Sequence, residues 1–207
     1  PYFKIPTVFK RDPATKHRTL LLGEYALLEF EYLKDNTWTF TEKVDGTNIR
    51  VMVGGDGNVE FGGKTDNAHL PARLVKRLGE MFFPLRERLA EQFPDGGGLY
   101  GEGYGAGIQK GGGNYHPTQE FVLFDVLVGD WWLERENVED VADKLGLVIV
   151  PIVGEGSLES VVEFVREGFR SFWGDFPAEG IVARPNVTLH RRSGERIITK
   201  LKAKDFK

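Results

Sequence analysis

Short runs in which apolar and polar residues alternate predict β-strands along much of the chain. β-branched and aromatic residues at 38–40 and 49–53 have the composition of strands, and Asp45-Gly46 is predicted to make the reversal between them. The glycine-rich residues 54–58 predict a hairpin turn into a strand at 59–61. Residues 20–32 fit either one short helix or two strands. Further strands are predicted at 99–103, 121–128, 147–153, 178–184 and 196–201.

Apolar residues recur at helical spacing in three segments. Within 70–93 the repeat passes through Leu74, Leu78 and Phe82, and Pro84 is expected to kink or divide the helix. Residues 138–145 and 158–172 have the pattern of amphipathic helices. Helices and strands interleave irregularly, and hairpins come early. The pattern therefore predicts an α+β fold with antiparallel sheets rather than a doubly wound parallel sheet. Since no internal repeat and no long linker divides the chain, residues 1–207 are predicted to form a single domain.

Composition narrows the class of protein. Hydrophobic residues make up 41% of the 207 residues and aromatic residues 12%, which is enough for a substantial core and argues against global disorder. The chain has no cysteine, so disulfides and thiolate metal sites are excluded. It also has no leader-like segment and no membrane-length apolar run. These features predict a soluble, cytoplasmic protein without membrane association.

The charge is unevenly distributed. The net charge of −4 argues against general coating of nucleic acid. The last part of the chain is nevertheless basic, which fits either a local phosphate-binding surface or a solvated tail. Its cations, opposed only by Glu195 and Asp205, are Arg184, Arg191, Arg192, Arg196, Lys200, Lys202, Lys204 and Lys207.

Lys43 is the first candidate for chemistry. It directly follows a predicted strand, with Asp45 two residues on, so it could be an activated amine nucleophile or only a lysine in an ordinary hairpin. Lys200 and Lys202 are two residues apart in a predicted strand and therefore share one face, where an anion such as a phosphate could lie between them. Alternatively, this face of the strand is exposed to water and the two lysines bind no anion.

The other polar candidates are less distinctive. Glu102, Asp125 and Glu179 lie in or beside apolar strands, where a carboxylate needs a partner or a metal. The glycine-rich loop at 104–113 fits neither a P-loop nor a dinucleotide fingerprint, so it could admit a ligand or be a flexible surface loop. The four histidines show no metal-ligand spacing.

Taken together, these segments resemble one enzyme superfamily. Lys43-Val44-Asp45-Gly46 matches the Lys-x-Asp-Gly nucleophile motif of the covalent nucleotidyltransferases, which include DNA ligases, RNA ligases and capping enzymes. With Glu42, Thr47 and Asn48 added, the motif resembles that of the phage-type RNA ligase 2 family. The further blocks follow in that family's order: Phe61-Gly62-Gly63-Lys64-Thr65, Tyr100-Gly101-Glu102-Gly103 with its downstream loop, Phe124-Asp125-Val126, Glu179-Gly180-Ile181-Val182 and Lys200-Leu201-Lys202.

The resemblance implies a fold and a reaction. The fold is the nucleotidyltransferase fold, with two antiparallel sheets flanked by helices and the nucleotide between them. Lys43 would attack the α-phosphate of ATP and hold AMP as a phosphoramidate. The AMP would then pass to a 5′-phosphate end, and a 3′-OH would displace it to seal the strand. The expected substrate is RNA, including a nicked duplex or an RNA/DNA hybrid.

The resemblance also implies roles for the remaining residues. Lys200 and Lys202 would grip the α-phosphate, and Glu102 would meet the ribose. Glu179 and Asn48 would place Mg²⁺ or Mn²⁺ and also contact the nucleotide. The other implied nucleotide contacts are Glu42 at the adenine pocket, Phe124 stacked on the base, and Lys64.

Two departures from the family pattern stand out. Lys64 occupies a position where the family usually has arginine, so a bidentate contact becomes a point charge. The sequence also ends soon after Lys202, so no C-terminal accessory domain is expected and a separate partner could bind the strand. The alternatives are a DNA ligase, which shares the nucleophile motif, and a non-catalytic nucleic-acid-binding relic of the fold. A guanylyltransferase fits less well.

Overall fold

A computed structural model describes residues 2–206 as a mixed α+β protein. Its strands are β1 (Phe9–Arg11), β2 (Leu20–Tyr25), β3 (Trp38–Glu42), β4 (Thr47–Val53), β5 (Val59–Gly62), β6 (Gly97–Gly105), β7 (Gln119–Val128), β8 (Trp131–Trp132), β9 (Ile152–Gly156), β10 (Gly180–Pro185) and β11 (Thr199–Lys202). Its α-helices are α1 (Leu28–Tyr32), α2 (Ala72–Phe82), α3 (Arg86–Gln92), α4 (Gly112–Tyr115), α5 (Arg135–Leu145) and α6 (Leu158–Glu167). None of the described helices is long and apolar enough to cross a membrane.

The chain forms two compact units. One comprises Asp45–Val150 together with Tyr2 and Phe3 and is called the nucleoside unit below, after the nucleotide contacts that the resemblance implies for Glu102 and Phe124. The other comprises Lys4–Val44 and the described residues from Pro151 onward and is called the lysine unit. The chain passes from the lysine unit to the nucleoside unit between Val44 and Asp45, inside the predicted nucleophile motif. It returns between Val150 and Pro151.

The lysine unit is built on a four-stranded sheet in the order β11-β10-β3-β9. Every neighbouring pair in this sheet is antiparallel. One face packs on a hydrophobic core to which α6 and α1 contribute, because residues alternate between faces along each strand. Trp38 and Phe40 of β3, Ile181 and Ala183 of β10 and Leu201 of β11 are all buried there. The opposite face carries Thr41 of β3 and Lys200 and Lys202 of β11, together with Val182 of β10 and Ile152 of β9.

The nucleoside unit is built on a five-stranded antiparallel sheet in the order β5-β4-β6-β7-β8. Its core combines Ile49, Val51 and Val53 of β4 with apolar residues of α2, α3 and α5. The two sheets with their helices confirm the predicted fold class of antiparallel sheets flanked by helices. A separate two-stranded sheet, β1-β2, lies in the lysine unit.

The predicted reversal at Asp45-Gly46 is wrong. Strands β3 and β4 do not pair with each other, since β3 lies between β10 and β9 whereas β4 lies between β5 and β6. The glycine has a different purpose. A Cβ on Gly46 would overlap the carbonyl oxygen of Gly103 and come within 2.7 Å of Glu102 Cγ, so the backbone can approach β6 only without a side chain.

Two further predictions need correction. The helix expected at 158–172 ends at Glu167, because Gly168 adopts a φ of 81°, which terminates a helix readily. The strand expected at 147–153 is split. Residues 147–150 lie along β7, where Leu123 exchanges backbone hydrogen bonds with Val148 and Val150, and β9 begins only after Pro151. In the ambiguous stretch 20–32, the structure has one strand, β2, and one helix, α1.

Candidate active site

Lys43 lies immediately after β3 and is held there by strand pairing. Its backbone N–H donates to the carbonyl oxygen of Gly180 at 2.9 Å, which continues the β3–β10 ladder by one residue. Since Trp38 and Phe40 face the core, alternation puts Thr39, Thr41 and Lys43 on the opposite face of the sheet. The sequence therefore determines the face, and pairing with β10 determines the neighbours.

A single carboxylate joins Lys43 to one of the predicted phosphate-binding lysines. Lys43 Nζ lies 2.6 Å from Glu179 Oε2, and Lys202 Nζ lies 2.5 Å from Glu179 Oε1. The side chain of Lys43 is 20% exposed, that of Glu179 is 13% exposed and that of Lys202 is 22% exposed. The ion pairs are therefore largely shielded from solvent but remain open to a ligand. Two ammonium groups on one carboxylate leave a net positive charge, which suits an incoming polyphosphate.

Lys200 belongs to the same face. In the β10–β11 register, Gly180 lies opposite Lys202 and Val182 opposite Lys200. Thr199 and Leu201, the alternating residues, are buried on the core face. The prediction that Lys200 and Lys202 share one strand face is therefore confirmed by β11. This strand pairs with β10, and Glu179 immediately precedes β10.

Glu42 lies on the other face of β3, away from Lys43. It is 1% exposed, and its carboxylate accepts a hydrogen bond from Ser171 Oγ at 2.6 Å and from the Phe172 backbone N–H at 2.8 Å. Burial raises the pKa of the Glu42 carboxyl above its ordinary value, while these two hydrogen bonds oppose the rise. The geometry gives Glu42 a clear structural task, which is to anchor the loop after α6. Its contact with adenine stays a prediction.

In the nucleoside unit, Asn48 and Glu102 face each other across β4 and β6. Asn48 Oδ1 is buried and has no hydrogen-bond donor among the described residues. An unpaired buried acceptor costs free energy, roughly 1–3 kcal/mol, unless a ligand or ion satisfies it. The predicted ribose residue and a predicted metal ligand are therefore cross-strand neighbours, and one of them carries an unsatisfied oxygen.

Phe124 occupies an irregular position in β7. Tyr100 pairs with Asp125 and Gly101 with Leu123, so Phe124 is the extra residue of a β-bulge. Bulges re-aim side chains and are over-represented beside active sites. The Phe124 ring is partly buried and packs edge-on against Tyr2 at 5.3 Å between centroids. Tyr2 also donates a hydrogen bond of 2.6 Å to Asp125, which explains how a fully buried carboxylate is tolerated in an apolar strand.

The cation predicted at Lys64 lies in the exposed loop after β5. Arg50 was not identified from the sequence as a candidate site residue. It lies two residues beyond Asn48 on the same face of β4, is largely shielded and forms an ion pair with Asp66. The opposing residue, Gly62, leaves room for its guanidinium, since a Cβ there would lie 2.6 Å from Arg50 Nε. The alternation of β4 could have pointed to this residue.

The glycine-rich loop after β6 supports the nucleophile motif. Gln109 Nε2 donates to the Gly46 carbonyl at 3.0 Å, and the Asp45 backbone N–H lies 3.3 Å from the Tyr115 hydroxyl that accepts it. Gly105 has a φ of 109° and packs directly on the Thr118 carbonyl. The loop therefore fixes the backbone of Asp45-Gly46 through these hydrogen bonds. Neither role considered from the sequence, a loop that admits a ligand or a flexible surface loop, included this contact.

Sequence comparison adds an independent observation. The family model described as RNA ligase matches residues 36–202, which is most of the chain. The chain belongs to the RNA ligase family. No curated protein sequence is detectably similar to it.

Solved structures of similar fold include the Naegleria gruberi RNA ligase with PPi, at 19% sequence identity and a TM-score of 0.66. That match covers 98% of this chain and 56% of the other. A mutant of the same ligase with ATP and Mn aligns at 17% identity and a TM-score of 0.67, covering 99% of this chain and 59% of the other. An apo mutant aligns at 16% identity and a TM-score of 0.68, covering 99% and 60%. This RNA ligase family member thus spans less than two thirds of each of these structures.

Each unit by itself has an oxygen donor of the hard kind that Mg²⁺ and Mn²⁺ prefer. In the nucleoside unit it is the buried Asn48 Oδ1, which has no donor among the described residues. In the lysine unit it is the Glu179 carboxylate. Among the described residues, no group of three or more acidic or histidine side chains forms a metal cluster. Mg²⁺ in nucleotide enzymes commonly takes one or two carboxylates plus substrate phosphates, so such a cluster is not required.

Proposed function

We propose that this RNA ligase family member is an ATP-dependent RNA ligase of the phage-type RNA ligase 2 family that works through a lysyl-AMP on Lys43. The observation that carries the proposal is the shared carboxylate, with Lys43 Nζ at 2.6 Å and Lys202 Nζ at 2.5 Å from the two oxygens of Glu179. It joins three motifs that are far apart in sequence around one polar, partly open group. We propose the whole chain, 1–207, as one adenylyltransferase domain.

In the first step, the lone pair of Lys43 Nζ forms a bond to the α-phosphorus of ATP. The bond from that phosphorus to the bridging oxygen breaks, and pyrophosphate leaves with the electron pair. Lysine is ordinarily protonated near neutral pH, with a reference pKa of about 10.4, so the ammonium must first lose a proton. Glu179 Oε2, at 2.6 Å, is in position to accept it.

Lys202 and Lys200 stabilise the charge that develops on the phosphate. Lys202 also competes with Lys43 for the Glu179 carboxylate. The positive charge of Lys202 favours the neutral, nucleophilic form of the Lys43 amine. Fixed cations aimed at a transition-state phosphate cost little reorganisation during the reaction. The two lysines thereby help with both activation of the nucleophile and departure of pyrophosphate.

The nucleoside unit supplies most of the proposed contacts to the rest of ATP, and Glu42 of the lysine unit supplies one. Glu102 meets the ribose, and Phe124 stacks on adenine from its bulge. Lys64 and Glu42 are retained as proposed nucleotide contacts. Asn48 and Glu179 are proposed ligands of Mg²⁺ or Mn²⁺, which when bound would neutralise charge on the triphosphate.

The later steps transfer the nucleotide to RNA. A 5′-phosphate oxygen of the strand attacks the AMP phosphorus, the N–P bond breaks, and Lys43 Nζ takes up a proton. The 3′-OH oxygen then attacks the 5′-phosphorus of the adenylylated strand, its proton is lost, and AMP leaves. Nicked RNA and RNA/DNA hybrid duplexes are the proposed substrates, with a separate strand-binding partner as an option. A chain without cysteine suits the cytoplasm that we propose as its location.

Replacement of the nucleophile tests this function directly. Lys43→Ala should abolish covalent AMP attachment, because no other amine takes its place, while folding changes little at this partly exposed position. Mass spectrometry after incubation with ATP and Mg²⁺ or Mn²⁺ should show one AMP on wild type and none on the variant. Lys34→Ala, an exposed lysine of the same unit, is the control and should keep the adduct.

Two outcomes would contradict the proposal. An adduct that persists on Lys43→Ala would remove the assignment of the nucleophile. A wild type that never forms the adduct would favour a non-catalytic relic. A gel comparing nicked RNA, nicked DNA and hybrid duplexes then decides the substrate, and preferential sealing of nicked DNA would favour the DNA ligase alternative.

A further inference from the structure

The lysine unit contains a basic groove that none of the predicted motifs accounts for in full. The groove has a volume of about 880 Å³, and its apolar lining residues are Ile5, Pro6, Phe9 and Ala26. The remaining lining is strongly cationic. Its cations are Lys4, Lys10, Arg11, Arg18, Lys200, Lys202 and Lys204.

The N-terminal segment forms one wall of this groove because it is joined to β11. The Pro6 carbonyl accepts a hydrogen bond from the Lys200 backbone N–H at 3.0 Å and from Thr199 Oγ1 at 3.1 Å. Thr7 makes a parallel bridge with Lys200 at the same point. The lysines predicted to grip the α-phosphate therefore lie at the junction between the site and the groove.

Asp205 is the one carboxylate among the described residues that line the groove, and its charge is already engaged. It is 6% exposed, accepts a hydrogen bond from the Lys202 backbone N–H at 3.0 Å and pairs with Arg11 at 2.8 Å. Arg11 also reaches the carbonyls of His17 and Arg18, at 3.4 and 3.5 Å. The acid thus fixes the wall and leaves the groove positive.

The rim of the groove holds an unfavourable backbone conformation. Lys16 and His17 have φ values of 55° and 60°, in the left-handed region that a residue with a side chain rarely adopts. A 2.9 Å hydrogen bond from the His17 N–H to the Asp12 carbonyl helps to hold the turn. The turn carries His17, Arg18 and Thr19 to the groove lining.

We propose that this groove binds the phosphate backbone of the 5′-phosphorylated RNA strand that receives AMP. The inference rests on the proposed function, because it takes Lys200 and Lys202 as the phosphate end of the active site. Lys10, Arg11 and Lys202 pair with Glu24, Asp205 and Glu179. Seven cations against these three carboxylates still leave a net positive charge that exceeds what the tail of one ATP needs. They extend from β11 out to Lys4 and Arg18, as successive phosphates of a strand require.

The test measures RNA binding directly, in the absence of ATP. A triple variant, Lys4→Ala with Arg18→Ala and Lys204→Ala, removes three exposed groove cations and leaves Arg11, Lys200 and Lys202 in place. The probe is a labelled, 5′-phosphorylated single-stranded RNA of about 12 nucleotides, a length within the range of known single-strand sites. The matched control is Arg192→Ala, an exposed cation of the basic C-terminal stretch outside the groove.

The triple variant should bind RNA on the order of tenfold more weakly at low salt. The slope of log affinity against log salt should fall by about 2, because each lost phosphate contact contributes about 0.7 for a single strand. Arg192→Ala should bind within about twofold of wild type. If the triple variant fails to fold, Lys4→Ala and Arg18→Ala measured singly should each lower the slope by about 0.7.

Several results would overturn the proposal. RNA binding by the groove variants at wild-type affinity would show that the strand lies elsewhere. An equal loss from Arg192→Ala would show a diffuse basic surface. If the triple variant weakens ATP or pyrophosphate binding as much as RNA binding, the groove holds the triphosphate tail instead. The AMP adduct on wild type is measured separately, so failure of the groove and failure of the proposed ligase chemistry remain distinguishable.

Discussion

The two units of this RNA ligase family member carry different kinds of polar groups. In the lysine unit, cations dominate, and Glu179 is shared between Lys43 and Lys202. In the nucleoside unit, the predicted ligand contacts are mainly an amide, a carboxylate and an aromatic ring. There Asn48 Oδ1 is buried without a donor among the described residues.

The difference suggests a division of labour. Charged partners on neighbouring strands suit phosphoryl transfer, because charge develops on phosphate and must be met by fixed cations. A bulged aromatic residue and a cross-strand Asn48–Glu102 pair suit recognition of a base and ribose, which carry no net charge. Substitutions at Lys43, Lys200 and Lys202 of the lysine unit should therefore lower the rate of AMP transfer. Those at Glu102 and Phe124 of the nucleoside unit should raise the ATP concentration required.

The largest effect after loss of Lys43 itself is expected at the β11 lysines. Lys200→Ala and Lys202→Ala should each slow formation of the AMP adduct on the order of 10²-fold or more, because each removes a transition-state charge contact. Rapid-quench measurement of adduct formation at saturating ATP checks this. Lys34→Ala serves again as the exposed control, and an equal loss from it would point to general electrostatics rather than a specific phosphate grip.

A smaller effect of a different kind is expected at Phe124. Phe124→Leu should raise the ATP concentration for half-maximal adduct formation by about tenfold, because stacking of a base on an aromatic ring is worth about 1–3 kcal/mol. The maximal rate should change much less. Phe172→Leu, at an exposed aromatic residue of the lysine unit, is the matched comparison. If Phe172→Leu has the larger effect, recognition of the base belongs to the lysine unit and the division of labour is wrong.

The smallest effect concerns stability rather than catalysis. The pKa of Glu42 is raised in the folded protein, so the folded state binds more protons than the unfolded state above the ordinary pKa of 4.5. Its contribution to stability is therefore fully present below pH 4.5 and is lost as the pH rises through the folded-state pKa.

Glu42→Gln removes this titration while keeping an acceptor for Ser171 or Phe172. The free energy of unfolding, measured by denaturant titration at several pH values above 4.5, should fall less steeply with pH in the variant than in wild type. Parallel curves for the two proteins would show that Glu42 does not titrate in this range. Adduct formation by the same variant then tests whether this carboxylate also contacts adenine.

The alternation of apolar and polar residues, together with short motifs, was enough to predict much of this protein. It gave the α+β class, the position of Lys43 just after a strand and the common face of Lys200 and Lys202. These features are local, since the side-chain period of a strand depends only on neighbouring residues. The order of the motifs also pointed to the RNA ligase family that the sequence comparison supports.

The tertiary structure decided the features that depend on contacts between distant residues. Pairing of β3 with β10 and of β10 with β11 brings Lys43, Glu179 and Lys202 together, although more than 130 residues separate the first two. The same long-range pairing shows that Asp45-Gly46 is a crossing between units rather than a hairpin, and that Glu42 is buried under the loop at Ser171. A strand's sequence specifies its two faces but not its partners, because many apolar strands could pair equally well until the whole core is packed.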